Sequence, residues 1–94
     1  EKISMPTVSV LAGKLHVSAN YLNSIIKELT GKTASAHIQE KMLLEAKAFL
    51  IHTDLQVKEI AYKLGFESTT YFNRFFKNGS SATPIEFRKR YVKQ

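Results

Sequence analysis

The sequence predicts an all-α fold in which two similar helical units are joined by one long helix. Three observations predict it. No stretch alternates apolar and polar residues for long enough to make a strand. Helix-opening signals recur along the chain; the last is Thr83-Pro84-Ile85-Glu86, with threonine as N-cap, proline at the first helical position and glutamate at the third. Residues of the first third also reappear in the last third at a spacing of 49 or 50.

Each element has a local reason. Thr7 is an N-cap for a short helix over residues 8–15, with Val8, Leu11, Ala12 and Leu15 on one face. Gly13 inside it costs roughly 1 kcal/mol against alanine. His16-Val17 turns the chain, and Ser18 caps a second helix to about Leu29, with Gly31 as its stop. Thr33 opens a longer helix to about His52, whose inward stripe is Ile38, Met42, Ala46, Phe49 and Leu50. A short helix over 57–64 follows Thr53-Asp54 and presents Val57, Ile60, Ala61 and Leu64 on one face. Gly65-Phe66 turns the chain into a helix from about Ser68 to Lys77. Asn78-Gly79-Ser80-Ser81 has the composition of a loop, and the last helix runs to about Tyr91.

The repeat gives these helices an order. Ala12, Leu15 and Val17 answer Ala61, Leu64 and Phe66 at a spacing of 49. Tyr21, Leu22, Asn23, Ile25, Ile26 and Lys27 answer Tyr71, Phe72, Asn73, Phe75, Phe76 and Lys77 at a spacing of 50, as Thr33 answers Thr83. One residue is therefore added in the second turn. Each copy is a short helix, a tight turn and a second helix, a helix-turn-helix arrangement. Core packing alone would not require the polar Asn and Lys to match. The organisation expected is one domain over 1–94: a first helix-turn-helix unit over 7–31, a linker helix over 33–52 and a second unit over 54–91.

The second helix of each copy divides its faces. Leu22, Ile25, Ile26 and Leu29 follow i, i+3, i+4, i+7 and are expected to face the core, leaving Asn20, Asn23, Ser24 and Lys27 outward. In the second copy Phe72, Phe75 and Phe76 point inward; Thr70, Asn73, Arg74 and Lys77 point outward, with Thr69 beside them. Arginine pairs bidentately with guanine O6/N7 and asparagine with adenine N6/N7. Serine and threonine bond several base edges, and helix N-termini favour phosphate. An ordinary solvated helix face is the plainer alternative, but such a face usually carries more glutamate to pair with its lysine.

Composition narrows the classes. With 14 Lys+Arg against 8 Asp+Glu the formal net charge is +6, which favours polyanionic partners. Most of the excess lies in residues 57–94, where eight basic residues face three acidic ones. Zero cysteines exclude a disulfide framework and a thiolate metal site, and suit a cytoplasmic location. No apolar run approaches the ~18 residues of a membrane span, so no membrane role is expected within this segment. His16, His37 and His52 lack metal-ligand spacing, and neither a catalytic constellation nor a glycine-rich phosphate loop is visible. No enzyme, cofactor or metal is expected.

The run Glu59-Ile60-Ala61-Tyr62-Lys63-Leu64-Gly65-Phe66, then Tyr71-Phe72-Asn73-Arg74-Phe75-Phe76-Lys77, then Thr83-Pro84-Ile85-Glu86-Phe87-Arg88 resembles the C-terminal signature of the AraC/XylS family of bacterial transcription regulators. Upstream, Leu11-Ala12, Leu15, Val17-Ser18, Tyr21-Leu22, Lys27-Glu28, Thr30-Gly31-Lys32-Thr33 and Leu44-Glu45-Ala46-Lys47 fit as well, so the resemblance covers about residues 7–91. It implies homeodomain-like, AraC-type architecture and sequence-specific binding of double-stranded DNA, with recognition helices over 18–29 and 68–77 in successive major grooves. It carries base reading onto Asn20, Asn23, Ser24, Thr69, Thr70, Asn73 and Arg74, with Lys27 and Lys77 as phosphate contacts or helix-end charges. RNA polymerase is the further partner expected of a full-length regulator.

Departures from the family pattern are visible. The usual glycine before Thr-Pro is Ser81, the usual capping serine of the second unit's first helix is Gln56, and the frequent linker arginine is Met42. The resemblance also implies a helix before Thr7, for which Glu1–Pro6 are too short; the sequence reads as part of a longer regulator with a less well packed first unit. Arg88, Lys89, Arg90 and Lys93 either touch phosphate or keep the tail soluble, with Arg88 given a structural role by its family position. Two other readings stand beside DNA recognition: a basic helical protein-interaction module, which would show apolar residues on the outward faces, and a non-specific nucleic-acid binder, which would not distinguish a scrambled duplex.

Overall fold

A computed structural model describes residues 7–91; the preceding segment, Glu1–Pro6, and Lys93 lie outside the described residues. The described residues form α1 (Val8–Lys14), α2 (Ala19–Thr30), α3 (Ala34–His52), α4 (Val57–Lys63), α5 (Thr69–Ser80) and α6 (Pro84–Tyr91). They fall into two compact units, the first reaching to Lys41 and the second starting at Met42, so the boundary lies inside α3.

In the first unit every helix start is capped by its own hydroxyl. Thr7 Oγ1 accepts from the Val10 N–H at 3.2 Å, Ser18 Oγ from Tyr21 at 3.0 Å and Thr33 Oγ1 from Ala36 at 3.1 Å. α1 closes on His16, which takes φ 60°, and the Val17 N–H returns to the Ala12 carbonyl at 3.0 Å. Gly31 ends α2 at φ 89°. Val8, Ala12 and Ala34 are buried, while Leu11, Leu22, Ile25, Ile26 and Ile38 are half-buried.

Two expectations about this unit do not hold. Leu29 is 76% exposed and Leu15, which lies just past the end of α1, is 61% exposed. The periodicity of α2 is sound, but α1 is seven residues long and α2 twelve. At 1.5 Å per residue α1 extends about 10 Å against about 18 Å for α2, and Leu29 near the far end of α2 is left uncovered. No residue of α2 is fully buried.

The second unit has a continuous core of Ala46, Leu50, Ile60, Ala61, Leu64, Phe72, Phe76 and Phe87. Its aromatic rings meet edge-on or tilted: Phe66–Phe72 and Phe66–Phe75 at 5.2 Å, Phe76–Phe87 at 5.4 Å. α4 lacks a hydroxyl cap, and Glu59 compensates by accepting the Gln56 N–H at 2.8 Å. Gly65 turns the chain at φ 91°, and the Phe66 N–H reaches the Ala61 carbonyl at 3.0 Å, the counterpart of Val17 and Ala12. α6 has a full capping box: Thr83 and Glu86 exchange hydrogen bonds at 2.9 and 3.1 Å.

The loop expected at Asn78-Gly79-Ser80 is instead the last turn of α5. Ser80 Oγ reaches the carbonyls of Phe76 and Ala82 at 2.8 and 3.0 Å, as Thr30 Oγ1 reaches those of Ile26 and Lys32 at 2.8 and 3.0 Å. The duplication therefore extends to Thr30 and Ser80. Gly79 suits the helix because a Cβ there would lie 2.8 Å from Leu43 Cδ2 on α3. Ser81, where the first unit has Gly31, ends α5 in the left-handed region at φ 65°.

Candidate nucleic-acid interface

α5 is held by its aromatic face. Phe72 and Phe76 are fully buried and Phe75 half-buried, so the opposite face is fixed outward. Thr70, Asn73, Arg74 and Lys77 are exposed there, and Thr69 is half-buried at the N-terminal end. Ser68 Oγ caps the helix through the Tyr71 N–H at 3.2 Å. Its first turn contains no acidic residue, although the exposed Glu67 stands just before the cap at the positive end of the dipole. Lys77 lies in the last turn, where it complements the negative end.

α2 repeats this plan in part. Asn20, Ser24 and Lys27 are exposed, the first turn is free of acids and Lys27 sits in the last turn. Asn23 departs from it. It is half-buried, and its Oδ1 accepts from the Ser35 N–H at 3.1 Å and from the Ser35 hydroxyl at 3.4 Å. Bidentate pairing with adenine uses both the oxygen and the amide nitrogen of asparagine. In this arrangement the oxygen already satisfies an N–H of the first turn of α3, a structural role that sequence periodicity did not reveal. Asn73, its counterpart, is exposed and makes no such bond among the described residues.

Other basic residues separate into structural and exposed. Arg88 donates from Nε to the Leu50 carbonyl at 3.0 Å and from Nη2 to the Thr53 carbonyl at 3.1 Å, closing the end of α3. Lys89 and Arg90 are exposed. Lys47 lies 5.7 Å from the Phe87 ring centroid. The ion pair Lys32–Glu40 lies on the exposed surface, and its hydrogen bond from Lys32 holds the Glu40 carboxyl below the usual carboxylate range. His37 Nε2 is 2.8 Å from Thr30 Oγ1.

Sequence reasoning left out Tyr21 and Tyr71, which are 56% and 57% exposed on α2 and α5. Their match within the repeat was the available signal, since a large ring outside the core gains little from burial and yet stands at the same place in both helices. Among the described residues no group of His, Cys, Asp and Glu has the arrangement of a metal site, and no helix is long and apolar enough to cross a membrane.

The helix-turn-helix domain family matches residues 11–90. The probable transcription factor PqrA of Proteus vulgaris is 33% identical over 82 residues, covering 87% of this chain and 67% of that protein. Most other curated relatives are much longer: the match takes up 11% of YtdP of Bacillus subtilis and 31% of the activator RhaS of an Enterobacter strain. The chain thus spans under a third of the length of most curated relatives it matches. The C-terminal domain of the response regulator yesN of Fusobacterium nucleatum has a similar structure, with TM-score 0.83 and 36% identity over 89% of this chain and 82% of that one. The DNA-binding domain of AdpA, solved in complex with a target DNA, shares the fold at TM-score 0.81 and 24% identity, over 94% of this chain and 79% of that one.

Proposed function

The chain belongs to the AraC-type helix-turn-helix family of transcription regulators, and from that membership we propose that it recognises double-stranded DNA by sequence, each unit offering its second helix to a major groove. The matching helix-turn-helix domain is that of transcription regulators and is not an enzyme. The observation that carries the reading is the exposed face of α5, where Thr70, Asn73, Arg74 and Lys77 stand together opposite a buried phenylalanine face.

Arg74 is the strongest candidate for guanine and Asn73 for adenine, with Thr69 and Thr70 at the groove entrance. On α2, Asn20 and Ser24 are exposed to read bases, while Asn23 contributes through its hold on Ser35. Lys27 and Lys77 meet phosphate. The first unit offers no arginine on this face, so the bound sequence is asymmetric, with the more demanding block under α5. In a full-length regulator, RNA polymerase in the cytoplasm is the partner such a domain would address. The polar character of both faces favours this reading over a protein-interaction module.

The test is selection of bound sequences from a random duplex pool, followed by a salt titration on the selected and scrambled duplexes. Two separated blocks of unequal information are expected, with a higher affinity for the selected duplex at every salt concentration. Arg74→Ala is expected to cost roughly 1–3 kcal/mol and to relax preference at one base pair. No enrichment over the random pool, together with equal affinity for scrambled duplex, would sink the proposal.

A further inference from the structure

Tyr71 carries a ring that the core does not use, being 57% exposed on α5. Its backbone is fixed, because its N–H is the one that Ser68 Oγ accepts at 3.2 Å. One helical turn onward, the guanidinium carbon of Arg74 lies 5.7 Å from the Tyr71 ring centroid, within the range at which a cation is drawn to an aromatic face. No ion pair involves Arg74 among the described residues. An arginine on an exposed helix has much rotamer freedom to lose when it pairs with a base. A ring that narrows this freedom beforehand lowers the ordering cost of binding. The first unit has the ring, Tyr21, but Ser24 at the position of Arg74, so only the second unit has the pair.

We propose that Tyr71 is a positioning residue for Arg74: the face of its ring holds the guanidinium ready for a guanine and sharpens discrimination at that one base pair. This rests on the base-reading role proposed above for Arg74.

The experiment compares Tyr71→Phe and Tyr71→Leu on the selected duplex and on a duplex altered at the base pair whose preference Arg74→Ala relaxes. The ratio of the two affinities does not depend on the folded fraction. Tyr71→Leu is expected to lower this ratio by about two- to five-fold. Tyr71→Phe should keep it, and Tyr71→Leu should lower it no further in an Arg74→Ala background. In the free protein, the Arg74 side-chain protons should resonate upfield in the wild type and in Tyr71→Phe, and lose that shift in Tyr71→Leu. The inference is overturned if Tyr71→Leu leaves the ratio unchanged while Arg74→Ala lowers it. It is also overturned if Tyr71→Phe loses as much as Tyr71→Leu, or if the Tyr71→Leu loss persists without Arg74. An Arg74→Ala variant with unaltered preference would overturn the base-reading role itself, and this inference with it.

Discussion

Asn23 Oδ1 accepts the Ser35 backbone N–H at 3.1 Å, fastening α2 to the first turn of α3 within the first unit. That N–H is one of the donors a helix start leaves without an intrahelical partner. Asn23 and Asn73 occupy equivalent places in the repeat but differ in burial and bonding, and this difference can be measured. Asn23→Ala is expected to lower stability by about 1 kcal/mol, the usual worth of such a bond. Asn73→Ala should leave stability within about 0.5 kcal/mol and instead change sequence preference. Urea unfolding of both variants beside duplex binding checks this. Equal stabilities for the two variants would remove the structural role given to Asn23.

The two units exchange their glycines. The turn after the first helix uses His16 at φ 60° where the second unit has Gly65 at φ 91°, and the end of the second helix uses Gly31 at φ 89° where the second unit has Ser81 at φ 65°. A side chain in the left-handed region costs roughly 1–2 kcal/mol, against the 0.5–1 kcal/mol that glycine loses in unfolded-state entropy. His16→Gly and Ser81→Gly are therefore each expected to stabilise by up to about 1 kcal/mol, and Gly65→Ala and Gly31→Ala to destabilise by a similar amount. Thermal unfolding midpoints of the four variants give the signs directly.

Arg88 provides a contrast with the bases on α5. Its two donations to Leu50 and Thr53 make it part of the second unit's framework rather than a phosphate contact. Arg88→Ala should cost about 1.5–3 kcal/mol of stability, the range for hydrogen bonds to a charged group. The salt slope of duplex binding, measured where the variant remains folded, should not change, because no phosphate contact is lost. Lys77→Ala should do the reverse, changing stability by no more than about 0.5 kcal/mol through its weak attraction to Glu86 and lowering the slope by about one unit. A reduced slope for Arg88→Ala would return it to the DNA surface.

Helix starts were legible because capping is local chemistry: Thr7, Ser18 and Thr83 act as the caps their spacing predicts, and Thr33 and Ser68, where helices were expected to open, cap them as well. The end of α5 was not. Asn78-Gly79-Ser80 has the composition of a loop, and the close approach to Leu43 that makes Gly79 suitable in the helix involves a residue 36 positions away. Periodicity correctly grouped Leu22, Ile25, Ile26 and Leu29 on one face but carried no information on what covers that face, and Leu29 stands uncovered. The polar face of α5 was readable because three phenylalanines fix the opposite side. On α2 the same logic placed Asn23 outward, and its bond to Ser35, twelve residues on, left no mark in the spacing.

The capping box of α6 should make stability depend on pH in one direction. The Glu86 carboxyl is held below its ordinary value of 4.5, first by the backbone N–H of Thr83, then by the Thr83 side chain, with Lys77 and Arg90 adding attraction. A carboxyl whose folded value is depressed releases its proton more readily in the folded state, so it stabilises the fold above the ordinary value. That contribution is lost as pH falls through the lower, folded value. Glu86→Gln retains an acceptor oxygen without the charge. Wild type should therefore exceed the variant in unfolding midpoint at neutral pH, and the gap should close on acidification below about 4.5. A gap that stayed constant down to strongly acid conditions would show that the shape of the cap, and not the charge of Glu86, carries the effect.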